Sequence, residues 1–163
     1  MSGATTWSLG EGDARRIHAL LTGFLQEAGA RTTLLVDRNG QMLASAGEQP
    51  SFDHVAFASL TAADFSANDQ LARMLGEAEF GALFHQGERE SLYLADVARR
   101  VILVVLFDNR TTLGLVKLRV KRTLLELNTL FLELFARGNR DVRVEAGFVG
   151  EAEDEIDRLF GTL

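Results

Sequence analysis

The sequence predicts an α+β fold, a three-layer α/β/α sandwich around one five-stranded, mostly antiparallel sheet. Three observations predict it. Long stretches beginning at Asp13, Asp53 and Thr112 carry apolar residues at helical spacing. The run "RTTLLVDRNGQMLASAG" has the form of a β-hairpin, with Asn39-Gly40 at its centre. The run "VILVVLF" at 101–107 is continuously apolar and β-branched, the pattern of a central strand buried on both faces.

Residues 1–12 are small, polar and glycine-bearing, and are expected to be a flexible N-terminus. In the first helix Ile17, Leu20, Leu21, Phe24, Leu25 and Ala28 share a face, with Asp13 the expected N-cap and Gly29 the stop. The hairpin pairs 32–36 with 41–46, and 47–51, with the only proline, ends it. The second helix spans 53–75, capped by Ser51 or Asp53 and closed by Gly76. Its apolar residues (Val55, Phe57, Ala58, Leu60, Ala62, Phe65, Leu71, Met74 and Leu75) cover more than one face, so it is expected to have two neighbours. Three strands follow at 82–86, 91–97 and 101–107. In the middle one Leu92, Leu94 and Asp96 face one way and Tyr93, Ala95 and Val97 the other.

"FDNRTTLGLVKLRVKRTLLEL" at 107–127 fits two periods. Val116, Leu118 and Val120 alternate with basic residues as in a strand, while Leu113, Val116, Val120, Leu124 and Leu127 step as in a helix. Length decides for the helix, because the three-four spacing persists through Phe131 and Leu134 whereas strands end after about five or six residues. The third helix is therefore expected over 112–137, started by Thr111 or Thr112 and ended by Gly138. Residues 138–150 read as a linker. "EAEDEIDRLF" reads as a short separate helix with Ile156, Leu159 and Phe160 on one side, a docking peptide that orders against a surface. The organisation is a flexible 1–12, a domain at 13–137, and a linker with a docking segment at 138–163.

Composition narrows function. There is no cysteine, hence neither a disulfide framework nor a thiolate site. The longest apolar run is too short to span a bilayer and no secretory signal is evident, so the chain is expected in the cytoplasm, without membrane insertion. Net charge is −6, and residues 141–163 carry seven acids against Arg143 and Arg158, so the body is near neutral and the tail acidic. That balance argues against nucleic acid as a partner. His18, His54 and His85 are scattered and form no helix-spaced metal pair. "GEAEFGAL" at 76–83 has the glycine spacing of a phosphate loop, but Ala82-Leu83 stand where Lys and Ser/Thr are required. Glu88 and Glu90 sit in an expected turn. No catalytic residues, metal ligands or cofactor site are expected. Arg110, Lys117, Arg119, Lys121 and Arg122 form a basic stretch without one acid, which reads first as a solvated helix face and second as a surface for an acidic partner. Arg110 reads as a loop arginine rather than a catalytic finger.

"LVDRNGQMLASAG", "FASLTAADFSANDQLARMLGE", "FHQGERESLYL", "RVILVVLFDNRTTLGLVKLRVKR" and "EIDRLF" together resemble the MglB-like bacterial Roadblock-type (dynein light chain) domain proteins, from about Arg31 to Phe160. The resemblance implies the element order read above and a homodimer paired through the third strand's edge and the second helix, with Ala62 and Phe65 at the dimer or partner interface. It implies a regulator, not an enzyme. Two copies would act on one small Ras-like GTPase of the MglA type and stimulate GTP hydrolysis by reshaping its active site, without an arginine finger. A role in cell polarity and motility, with enrichment at a cell pole, is implied too. Carried over by position, the GTPase-binding surface would include Arg15, Arg16, Ser66, Gln70 and Arg122, and Ile156, Leu159 and Phe160 match a docking tail. Where such proteins carry small residues on the second helix, this chain has Asn68, Asp69 and Gln70, which are expected to retune the GTPase contact. A non-catalytic Roadblock scaffold is the alternative reading.

Overall fold

A computed structural model describes residues 7–160, as α1 (Glu11–Ala28), β1 (Thr32–Asp37), β2 (Met42–Gly47), α2 (His54–Met74), β3 (Ala82–Gln86), β4 (Glu90–Val97), β5 (Val101–Asp108) and α3 (Leu113–Phe160). The sheet order is β2-β1-β5-β4-β3, and every pairing is antiparallel. The apolar run that forms β5 lies at its centre. Alternation along each strand divides the core into two layers. Leu35, Ala95, Val97, Leu103 and Val105 face α1 and α3, while Leu34, Val36, Leu94, Ile102 and Val104 face α2. Leu92 packs with the α2 layer and Tyr93 with the other, the alternation that the sequence implies for β4.

Several local expectations are corrected. The N-cap of α1 is Gly10, not Asp13. Asp13 lies within the first turn, and its carboxylate accepts a hydrogen bond from Arg137 Nη2 at 3.0 Å, so it is used to join α1 to α3. Of residues 1–12, the first six lie outside the described residues, but Trp7 and Leu9 pack on the core. Trp7 meets Phe131 and Phe135 edge-on at 5.8 and 5.2 Å, so one aromatic side chain anchors a segment whose average composition suggested freedom. At the first hairpin only Gly40 takes a positive φ, 89°. The turn is organised by Asp37, whose Oδ1 accepts from the Asn39 and Gln41 amides at 2.9 and 3.0 Å, and a β-bulge follows at Leu43, opposite Leu35 and Val36.

The caps of the other helices follow their sequence signals. Asp53 Oδ1 accepts from the Val55 and Ala56 amides at the start of α2, and Gly76, at φ 81°, follows its end. Thr112 Oγ1 accepts from the Leu115 amide, while Thr111 donates to the Ala28 carbonyl at 2.6 Å and ties the end of α1 to the start of α3. The largest departure is at the other end of α3. Residues 138–150 are not a linker and 151–160 are not a separate helix, because α3 runs unbroken to Phe160. Gly138, Gly147 and Gly150 each cost about 1 kcal/mol relative to alanine. With no proline to interrupt the ladder, a helix already nucleated and packed over its first half propagates through them.

One end of the sheet is closed by charge. Arg31, just before β1, binds Glu48 at 2.9 Å and also Glu90, while Arg110 binds Asp108 at 3.0 Å and Glu48 at 3.4 Å. These contacts join the ends of β1, β2, β4 and β5. Hydrogen bonding from Arg31 holds the Glu48 carboxyl below its ordinary pKa, and bonding from Arg110 does the same for Asp108. A carboxylate whose folded pKa is depressed contributes stability above its unfolded pKa, and that stability is lost as pH falls through the folded value. Urea midpoints are therefore expected to drop on acidification below about pH 4, and a Glu48→Gln/Asp108→Asn variant to show a flatter profile over that range. A second expectation concerns glycine. Gly47 has φ 95°, and a Cβ there would sit 2.3 Å from the Arg31 carbonyl oxygen, whereas one at Gly114 would meet nothing within 4 Å. Gly47→Ala is expected to destabilise by about 2–4 kcal/mol, and Gly114→Ala to be neutral or stabilising by up to about 1 kcal/mol, read from chemical denaturation.

Candidate interaction surfaces

Among the described residues no cluster of His, Asp and Glu side chains could hold a metal ion, and no helix is long and apolar enough to cross a membrane. Two helix faces, one on each side of the sheet, stand out among the described residues.

The first is α2. Its inner face buries Ala58, Phe65 and Ala72, of which Ala58 and Phe65 pack on the sheet. On its outer face Leu60, Leu71, Met74 and Leu75 are 56–83% exposed and, with the exposed Ala63 and Ala67, form a continuous apolar stripe. Beside this stripe lies β3, an edge strand with a free row of backbone groups, linked to α2 by a 2.6 Å contact between His85 Nε2 and Asp64 Oδ2. The opposite flank of α2 is polar. There Arg38, Ala62, Ser66, Asp69, Arg73, Ala78, Glu79 and Arg99 line a cleft of about 320 Å³.

Arg38 organises that cleft. It lies beyond β1, its amide donates to the Arg100 carbonyl at 3.0 Å, and its guanidinium forks to Asp69 on α2 at 2.6 Å and to Asp96 on β4. The same guanidinium lies 4.5 Å above the centre of the Phe65 ring. Burial on its own would lower the Arg38 pKa, but the hydrogen bonds to Asp96 and Asp69 outweigh it and hold the group above its ordinary value. Asp96 also accepts from the Arg99 amide at 3.1 Å, which helps hold the Ala98-Arg99 turn at positive φ (51° and 62°). The Ala98 amide is taken by Asn128 Oδ1 of α3 at 2.8 Å. Two non-glycine residues in this region are strained, and side chains from β4 and α3 hold them there. The sequence marks 98–100 as a turn, but not its handedness.

The second face is α3 with α1. The two helices run antiparallel, tied by Asp13–Arg137, Arg16–Glu133 and Glu27–Arg119 contacts at 3.0, 3.9 and 3.7 Å. Between them is an apolar groove of about 640 Å³ lined by Arg16, Ala19, Leu20, Leu125, Glu126 and Thr129. On α3, Leu125 at this groove and Leu118 and Leu132, one heptad to either side, are 58–69% exposed.

The residues expected to bind a GTPase are divided by this geometry. Arg15, Arg16 and Arg122 are exposed on the α1–α3 side of the sheet, whereas Ser66 and Gln70 are exposed on α2 on the other side. They do not form one surface of a single chain. Phe65 is fully buried between α2 and the sheet, and Ala62 is 8% exposed at the cleft, so neither projects from the outer stripe, where Leu60 and Leu71 do. Asn68 is buried and donates to the Phe80 carbonyl at 3.5 Å, and Asp69 is held by Arg38, so of the three polar residues only Gln70 is an open surface group. Of the docking residues, Leu159 is 72% exposed, and the side chains of Ile156 and Phe160 lie outside the described residues. Arg110 is engaged by Asp108 and Glu48. Sequence reasoning missed Arg38, and the one available signal was a lone arginine beside the hairpin turn.

Removing the guanidinium would leave two half-buried carboxylates facing each other. Arg38→Met is expected to destabilise by about 2–4 kcal/mol, with an added Asp69→Asn/Asp96→Asn pair recovering part of the loss, both measured by denaturant unfolding.

The geometry has counterparts. A Roadblock/LC7 domain model matches residues 16–107. Myxococcus xanthus MglB is 45% identical, with a TM-score of 0.70 over 73% of this chain and 97% of that one. The gliding protein MglB from Thermus thermophilus is 36% identical, with a TM-score of 0.72 over 78% and 96%. A Roadblock/LC7 domain from Streptomyces avermitilis, at 13% identity and a TM-score of 0.63 over 70% and 96%, shares the fold. No curated protein sequence matches the chain. On the match of fold, element order and sequence over most of its length, this chain belongs to the Roadblock/LC7 domain family and, within it, to the MglB-like proteins.

Proposed function

We propose that the chain is a homodimeric regulator, without an active site of its own, that binds a small Ras-like GTPase of the MglA type and stimulates its GTP hydrolysis. The observation that carries this reading is the outer stripe of α2 beside the open edge of β3. Pairing two β3 edges would continue the sheet across a two-fold axis and bring two α2 stripes together. One step would satisfy a free backbone row and cover Leu60, Leu71 and Met74. One structure of an MglB carries the description "with tetrameric arrangement", so self-association occurs in a relative 36% identical to this chain.

The dimer would present the flanks of two α2 helices, with Ser66, Gln70 and Arg73, as one platform. A platform centred on a two-fold axis holds one globular partner, which gives two copies of this chain per GTPase. Hydrolysis of GTP is limited by positioning of the attacking water and by charge on the transferred group, so a rigid surface that fixes the GTPase's mobile segments is enough to accelerate it. The Arg38 fork supplies that rigidity by locking α2 to the sheet. No arginine finger is needed, and Arg110 is held in an ion-pair cluster at the end of the sheet. The segment of α3 beyond Arg137 reaches about 34 Å past the domain, which suits Ile156, Leu159 and Phe160 for contacting the GTPase away from its nucleotide. Placement of the GTPase at a cell pole, and hence polarity and motility, would be the cellular output.

Single-turnover hydrolysis by an MglA-type GTPase is expected to accelerate about tenfold or more with saturating chain. Arg110→Ala should retain that stimulation, and Leu71→Asp, which places a charge in the α2 stripe, should lose both dimer and stimulation. An unchanged rate at saturation, with tight binding of the GTP form, would leave a non-catalytic scaffold as the activity. Full stimulation by a monomeric Leu71→Asp chain would remove the platform from the mechanism.

A further inference from the structure

Leucines recur along the exposed side of α3. Leu118, Leu125 and Leu132 are spaced seven residues apart, all exposed, on the side opposite the helix's buried residues Val116, Val120, Leu127 and Leu134. Leucine at every seventh residue supplies one of the two seam positions of a two-helix coiled coil. Arg122, Thr129 and Ala136, also exposed, continue the same strip, and the groove toward α1 passes beside Leu125 and Leu20. We propose that this strip is a self-complementary interface, on which α3 of a second copy packs antiparallel, centred on Leu125.

Charge selects the occupant and its direction. The half of the strip before Leu125 carries Lys117, Arg119, Lys121 and Arg122 with no acid, and the half from Glu126 to Glu133 carries two acids with no base. Antiparallel pairing lays each basic half on the acidic half of the other copy, whereas parallel pairing stacks like on like. Leu125 meets Leu125 of the second copy, Leu118 meets Leu132, and Arg122 comes beside Glu126 on the same flank. Arg122 and Glu126 have no ion pair in the single chain among the described residues, while Arg119 and Glu133 are shared with Glu27 and Arg16 of α1. The arrangement is isologous, so it closes without leaving a repeatable free face. It lies across the sheet from the α2 stripe, so the two interfaces use different surfaces of the chain. It also gives the basic stretch of α3 a counterpart.

The absence of cysteine makes the test direct. A Leu125→Cys chain treated with a short bismaleimide should cross-link about tenfold faster than a Leu118→Cys chain, since paired cysteines react at high effective concentration whereas the two residues at 118 would be about 21 Å apart along an antiparallel pair. Adding Arg122→Glu to Leu125→Cys should slow cross-linking, and adding Glu126→Arg to that pair should restore it. Adding Leu71→Asp, which opens the α2–β3 interface, should leave cross-linking unchanged. Equal rates for the two cysteine chains, or a charge swap that does not restore the rate, would overturn the proposal.

Discussion

The Arg38 guanidinium is the contact on which the exposed architecture depends. It joins Asp96 of β4 to Asp69 and the Phe65 ring of α2, while the backbone amide of the same residue, just beyond β1, bonds the Arg100 carbonyl. The apolar layer beneath α2 is small, with Ala58 and Phe65 as its fully buried helix residues. Alanine-rich contact of that kind sets a distance between helix and sheet but resists sliding weakly, because small side chains interdigitate little. A forked, directional pair of charge-assisted hydrogen bonds resists sliding strongly. Burial brings α2 to the sheet, and Arg38 fixes its position along it.

A fixed α2 has a consequence for what the surface can do. The helix is thin in its core contact, so much of its circumference stays outside, and that circumference divides into an apolar stripe toward β3 and a polar flank toward Arg99. An interface between copies and an interface with a different protein can then sit side by side on one helix. Neither needs to move the other, because both are referenced to the same rigid element. The strained Ala98-Arg99 turn belongs to this design, since Asn128 of α3 and Asp96 of β4 hold it and it carries Arg99 to the rim of the cleft.

The fold was legible because it rests on periodicity. Alternation in β4 and continuous apolar character in β5 assign each residue to a layer before any coordinate is known, and Asp53, Thr112 and Gly29 mark helix ends by local chemistry. Failures arose where a residue's partner lies far along the chain. Asp13 looks like a cap until Arg137 is placed beside it, and Asp69 looks like a surface residue until Arg38 reaches it. Asn68 differs for another reason: helical phase sets it on the buried side of α2, although its polarity suggests the surface. The site suffered most. Arg16 and Ser66 belong to opposite sides of the sheet, and a list of positions carried over along a chain does not record which side of a layer each one occupies.

The unbroken course of α3 changes how the acidic end of the chain should be understood. Read as a linker and a loose peptide, residues 138–160 would sample many directions, and their charge would be a diffuse cloud. As one helix of 48 residues, about 72 Å long, they are a lever whose base is set by Leu127, Leu130, Phe131 and Leu134 in the core. A lever has a fixed bearing, so whatever its outer turns contact lies at a defined distance and azimuth from the sheet. Ordering cost for that contact is already met by helix formation in the free chain, which lowers what a partner must supply on binding. The base of that lever also carries Asn128, whose Oδ1 accepts the Ala98 amide, so the helix that bears the acidic turns also holds the Ala98-Arg99 turn beside α2.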